Sequence, residues 1–212
     1  MSDMEEVTAA LEEGKDIELN KITDLDLEGY ILKDEQIPAL CRGLSGNTSI
    51  TWLNFKHCEL KSHMYHGIFQ ALSNHPTLTH LKLNGNNNVA KHLSELLSHN
   101  TALTRLNLSG CDVGDEGLPD LSAALQRNSS LKSLNLSANN IAIEKSGARM
   151  LNEILKLNRL TKINLKGNHF HHFDTKSIKI LSEGLQQNNS LTVLKIGRAH
   201  VLTPVTRSSR MP

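Results

Sequence analysis

Three histidines, His169, His171 and His172, crowd the segment GNHFHHFD, a concentration of imidazole that could hold zinc. A zinc site also needs its ligands spread over rigid elements, and these three fall within one short predicted loop. The simpler expectation is that Phe170 and Phe173 plug the loop onto the core while the imidazoles face water. His57, His63 and His66 are less organised still. The three cysteines, Cys41, Cys58 and Cys111, are odd in number and widely spaced, which fits a reducing compartment. Asn107-Leu-Ser109 and Asn135-Leu-Ser137 match the glycosylation acceptor pattern, but both lie inside predicted strands. The chain start, Met1 to Glu6, is acidic and lacks the basic-then-apolar order of a secretion signal. No glycine-rich phosphate loop, nucleophile motif or helical metal pair is present. The residues therefore argue for no catalytic group, no metal and no cofactor.

Composition narrows the class. Formal net charge is +1, from 23 basic and 22 acidic residues, which leaves no electrostatic case for nucleic acid. No apolar run approaches the roughly 20 residues of a membrane span. The expectation is a monomer in the cytoplasm, with the nucleus as an alternative, and no membrane partner. Aromatics make up only 3% of the chain, so its core must be built mainly from Leu, Ile, Val and Ala.

The elements that would position any site come from a repeat. ITDLDLEGY starts at Ile22, ITWLNFKHC at Ile50, LTHLKLNGN at Leu78 and LTRLNLSGC at Leu103. LKSLNLSAN follows at Leu131, LTKINLKGN at Leu160 and LTVLKI at Leu191. The spacings are 28, 28, 25, 28, 29 and 31 residues. Each block is apolar at its first, fourth and sixth positions, and the ninth is usually Asn or Cys. Alternate side chains of a strand face opposite ways, so Leu134 and Leu136 enter a core while Ser133, Asn135 and Ser137 face out. The ninth position turns the chain off the strand and must satisfy the polar backbone groups left there. Asn86, Asn139 and Asn168 suit that role, Cys58 and Cys111 are smaller substitutes, and Tyr30 departs from the pattern.

The second half of each unit carries leucine and alanine at helical spacing, as in Leu118, Leu121, Ala124 and Leu125. Parallel strands need such a crossover. In the third unit Asn86 to Asn88 run almost directly into the helical stretch, which predicts a trimmed strand-to-helix loop with strand stacking intact. The blocks resemble the ribonuclease-inhibitor class of leucine-rich repeats over about Ile22 to Lys195. The resemblance implies an α/β solenoid, a horseshoe with parallel strands on the concave side and helices on the convex side.

Both ends depart from the repeat. Residues 1–20 read as an N-terminal capping segment, a helix MEEVTAALEEG closed by Gly14. Residues 21–195 form the solenoid of six to seven units. The tail IGRAHVLTPVTRSSRMP resembles the conceptual translation of a sequencing adapter: IGRAHV, then Thr203 to Thr206 and Ser209 to Pro212, in one frame. The expectation is that residues 196–212 are not natural protein, that the natural chain continues beyond about Lys195, and that the sheet edge at Leu194 is left open.

The concave face would carry the site. Its first column is Asp24, Trp52, His80, Arg105, Ser133 and Lys162. The second is Asp26, Asn54, Lys82, Asn107, Asn135, Asn164 and Lys195, and the third is Glu28, Lys56, Asn84, Ser109, Ser137 and Lys166. The first strand is acidic and cations follow from the second onward, a gradient able to orient a charged protein partner. Trp52, the only Trp, is placed outward, where Trp often anchors binding; packing against Tyr30 or His80 is the alternative. These residues favour a non-catalytic protein-interaction scaffold that binds through the concave face. Two alternatives come from the resemblance: a GTPase activator like that of Ran, and the sensor repeats of a nucleotide-binding immune-type receptor.

Overall fold

A computed structural model of the chain describes residues 3–142, 145–169, 175–197 and 201–202. Strands and helices alternate. Helix α1 (Asp3–Glu12) precedes β1 (Asp24–Asp26), a 3-10 turn (Asp34–Gln36) and α2 (Ile37–Ser45). Then follow β2 (Trp52–Asn54), α3 (Ser62–Ser73) and β3 (His80–Lys82). A second 3-10 turn (Val89–His92) leads into α4 (Leu93–His99), then β4 (Arg105–Asn107) and α5 (Gly114–Arg127). The remaining elements are β5 (Ser133–Asn135), α6 (Lys145–Lys156), β6 (Lys162–Asn164), α7 (Thr175–Gln187), β7 (Val193–Lys195) and β8 (Val201–Leu202).

Strands β1 to β7 pair in sequence order, all parallel, in an unbroken register that aligns Leu25, Leu53, Leu81, Leu106, Leu134, Ile163 and Leu194. These residues are all buried. From α3 onward each helix packs on the helix before it, as each strand packs on its predecessor. A strand adds about 4.8 Å per unit and a helix about 8–10 Å, so the stack must curve with its strands on the inside. The architecture is the α/β solenoid expected from the repeat.

The third unit shortens as expected and in one further way. Its strand-to-helix loop is reduced to Asn87 and Asn88, and the helical half opens as the tighter 3-10 turn. Register from β3 to β4 is intact. The core is mostly leucine, but the few aromatics are concentrated: Phe55, Tyr65 and Phe69 are its largest fully buried side chains. Tyr65 lies 5.4 Å from Phe69 and stacks on His92 at 5.2 Å, and its hydroxyl donates to Asn87 O.

At the N-terminal end, α1 buries Val7 and Leu11. Gly14, at φ +66°, closes it: Gly14 N donates to Leu11 O and Lys15 N to Ala10 O, the paired bonds of a Schellman turn. Ile17 and Leu19 then continue the apolar cover.

The other end corrects one expectation. The sheet edge at Leu194 is not open: β8 pairs antiparallel with β7, placing Leu202 opposite Leu194 and Val201 opposite Lys195. A free strand edge offers backbone donors and acceptors to whatever extended segment follows, regardless of its side chains. The sheet therefore has eight strands, seven of them parallel. Residues 203–212 and 170–174, which include His171, His172 and Phe173, lie outside the described residues.

Candidate partner-binding face

The candidate face is held in place by three sets of side-chain bonds that run from unit to unit. The first is the turn ladder. Asn86 Nδ2 donates to Phe55 O at 2.7 Å, Asn139 Nδ2 to Leu108 O at 2.7 Å and Asn168 Nδ2 to Leu136 O at 2.8 Å. Their Oδ1 atoms accept from backbone N–H groups: Leu60 for Asn86, Cys111 and Val113 for Asn139, Asn139 and Ile141 for Asn168. Cys58 and Cys111 keep only the donor half, with Sγ on Leu27 O at 2.9 Å and on Leu83 O at 3.1 Å. Burial pushes their thiols up, to about 12 for Cys58 and about 11 for Cys111, so both stay protonated and able to donate. All three cysteines are free. Tyr30 instead accepts from Gln36 Nε2.

The sequence reading did not identify the other two sets. At the second position of most blocks a threonine hydroxyl donates to the carbonyl of the same position one unit earlier. Thr79 reaches Thr51 O at 3.0 Å, Thr104 reaches Thr79 O at 3.2 Å and Thr192 reaches Thr161 O at 3.0 Å. At the helix exits, Asn47, Asn100, Asn128 and Asn188 bridge to the carbonyls of Leu19, Leu72, Leu97 and Leu155. The repeated Leu-Thr pair and the Asn three residues before four of the seven blocks were the available signals.

On the strand face itself, Asp24, Asp26, Arg105, Lys162 and Lys195 are exposed, and His80, Lys82, Asn107, Asn135 and Asn164 are half-buried. Two expected positions differ. Asn54 is only 1% exposed, because its Nδ2 donates to Asp26 Oδ1 at 2.8 Å and to Glu28 Oε2 at 3.2 Å while its Oδ1 accepts from Lys56 N. It ties the acidic side chains down and offers nothing outward. Trp52 is half-buried, and its cover comes from Lys82, whose ammonium stands 4.7 Å over the ring centroid. His80 stands beside Trp52 as its register partner on β3.

Charges at the N-terminal end compensate one another. Lys56 Nζ meets Glu28 Oε1 at 2.5 Å, and this ammonium and Asn54 hold the Glu28 carboxyl below the usual carboxylate range. Burial, with Arg105 nearby, lowers His80, which keeps that imidazole neutral near pH 7. On the helical side, exposed His63 pairs with Asp34 and His66 with Glu95. Among the described residues no group of three or more His, Cys, Asp or Glu side chains could hold a metal ion. No helix among them is long and apolar enough to cross a membrane.

A parallel strand per unit, a helical crossover per unit and an Asn/Cys turn ladder define a leucine-rich-repeat protein. The chain belongs to that family: its repeat model matches residues 99–122 and 127–151. Relatives cluster in one group. The mouse (Mus musculus) protein "NACHT, LRR and PYD domains-containing protein 9C" is 34% identical over 80% of this chain and 17% of its own length. Human "NACHT, LRR and PYD domains-containing protein 14" is 30% identical over 82% of this chain and 16% of its own length. The chain thus spans about a sixth of these relatives. Among solved structures, the leucine-rich-repeat-containing protein LegL7 from Legionella pneumophila superposes with a TM-score of 0.60 at 22% identity, covering 92% of this chain and 60% of that one. At that identity the likeness concerns the fold.

Proposed function

We propose that the chain is a non-catalytic interaction scaffold that binds a protein partner through its concave strand face. The observation that carries this reading is that Arg105, Lys162 and Lys195 project from rigid, ladder-locked strands with no ion-pair partner among the described residues. Long cations fixed on rigid elements bind without the entropic loss of ordering a loop. The test compares affinity capture from source-cell extract by the wild-type chain, a concave-face variant (Trp52→Ala with Arg105→Glu) and a helical-face variant (Lys179→Glu with Glu183→Lys). Partners should be lost with the first variant and kept with the second. Retention by the concave-face variant, at an unchanged circular dichroism spectrum, moves the site elsewhere.

The relatives favour a second reading, in which these units are the repeat domain of a larger receptor that also carries a nucleotide-binding region. An antibody against residues 21–195 decides it. That reading requires a cellular band several-fold heavier than 23.5 kDa, and a band at that mass alone removes it.

A further inference from the structure

Small polar side chains on a sheet usually satisfy one another, and over β1 and β2 they do. From β4 to β7 the asparagine amide nitrogens are left out. Asn107 Oδ1 accepts from Ser109 N at 3.1 Å, Asn135 Oδ1 from Ser137 N at 3.1 Å and Asn164 Oδ1 from Lys166 N at 3.2 Å. The same short turn in three successive units fixes each amide with its oxygen held and its Nδ2 turned away. None of these three Nδ2 groups has a partner among the described residues.

The hydroxyls between them are occupied. Ser137 Oγ donates to Asn135 Oδ1 at 2.8 Å and lies 2.9 Å from Ser109 Oγ. Around the amides stand Arg105, Lys162, Lys166 and Lys195, all exposed and without a carboxylate partner among the described residues. What this half of the face leaves unsatisfied is a set of donors: three amide groups, one guanidinium and three ammoniums. Its complement is a ligand rich in acceptors and negative charge.

We propose that the concave surface of β4 to β7 is a docking strip for a short, extended, acidic peptide segment of the partner. The cations would meet its carboxylates, and the Asn107, Asn135 and Asn164 amides its backbone carbonyls. This rests on the concave-face reading and narrows it to one half and one chemistry. Strand spacing makes the strip about 14 Å across, room for about four or five extended residues.

A nucleic acid would share the charge, but the strip does not suit one. Its strand columns hold no ring for a base to stack on, and Trp52, on β2, is already covered by Lys82. Asp24 and Asp26 at the far end of the face, with no ion-pair partner among the described residues, would repel a longer polyanion.

The test uses three fluorescein-labelled probes: an octapeptide with five glutamates, the same peptide with glutamines, and an eight-nucleotide oligo-dT. Binding is read by fluorescence anisotropy. The glutamate peptide should bind saturably at 150 mM salt and weaken severalfold at 500 mM, since screening shortens the reach of charge. The glutamine peptide and the oligonucleotide should bind about tenfold or more weakly. Lys162→Glu with Lys166→Glu should weaken glutamate-peptide binding by a similar factor, Asn135→Asp should weaken it severalfold, and Lys179→Glu on α7 should leave it unchanged. Equal binding of the glutamine peptide, tighter binding of the oligonucleotide, or indifference to the strip variants overturns the proposal. If captured partners still depend on Trp52 and Arg105 but the glutamate peptide neither binds nor displaces them, this inference falls and the concave-face reading survives. If capture is also indifferent to Trp52 and Arg105, both fall.

Discussion

His75 shows most directly what one side chain costs or contributes in this array. It sits three residues before its block, the helix-exit position that Asn47, Asn100, Asn128 and Asn188 occupy in other units. Those asparagines each donate one unit back and accept from the first residue of their own block. His75 is 4% exposed, and neither ring nitrogen has a hydrogen-bond partner among the described residues. An unsatisfied buried polar group costs on the order of 1–3 kcal/mol. His75→Asn should place an amide within reach of Leu44 O and Leu78 N, as its counterparts are placed, and should raise stability by about 1 kcal/mol. The pH dependence has a definite sign. Burial lowers His75 from 6.5, so the unfolded chain binds its proton more tightly than the folded one. Stability from this group is complete above pH 6.5 and falls as pH drops below it. Urea unfolding at pH 7.5 and pH 5.5 should show a larger loss for wild type than for His75→Asn. Equal losses would mean that another group governs acid sensitivity.

Between helices, close approach matters more than helix propensity. Gly184 lies within α7 and faces α6: a Cβ built there would sit 2.2 Å from Asn152 Oδ1. Asn152 is itself buried, and its Oδ1 has no hydrogen-bond partner among the described residues. Glycine-to-alanine in a free helix gains about 1 kcal/mol. Here the methyl must displace a packed side chain or separate the helices, at about 1–3 kcal/mol. Gly184→Ala should therefore lower the thermal midpoint, and a rise would show that α7 shifts freely against α6. The apolar residues under this pair, Leu181, Leu185 and Ile196, are half-buried, and Ile178 is 49% exposed. The helical packing is thus looser at this end than under α5, where Leu118 and Leu121 are fully buried.

Over the whole molecule, stability is a sum of units and of the interfaces between them, so the ends weigh heavily. We propose residues 1–20 as the N-terminal cap. Val7, Leu11, Ile17 and Leu19 belong to the one continuous core. Asp16 pairs with Arg42 at 2.8 Å, and Leu19 O receives the Asn47 amide. Deleting residues 1–20 would expose Leu25, Leu27 and Leu40 and remove the Leu19 carbonyl to which Asn47 donates. The truncated chain should lose protection from hydrogen exchange first in β1 and α2, with β4 and β5 affected less. Uniform protection across the array would show that the segment does not cap.

The repeat was legible because it obeys one-dimensional rules. A period of about 28 residues, alternation over five positions and a helical stripe fix strand, helix and inward face without knowledge of distant contacts. The same rules placed the Asn/Cys turn ladder and the trimmed third unit, and they named the outward columns, including Arg105, Lys162 and Asn164. What they could not supply is which outward side chains satisfy one another, since that depends on diagonal neighbours about 28 residues apart. Asn54 belongs to an outward column and is buried against Asp26 and Glu28; Trp52, expected to face outward, is half-buried with the Lys82 ammonium over its ring. Asn107, Asn135 and Asn164 look equivalent to Asn54 in sequence. Only the absence of a carboxylate on the neighbouring strand leaves their amides open. The edge pairing of β8 with β7 lay beyond sequence for a related reason: backbone donors and acceptors recruit an extended neighbour by proximity, and they carry no residue code.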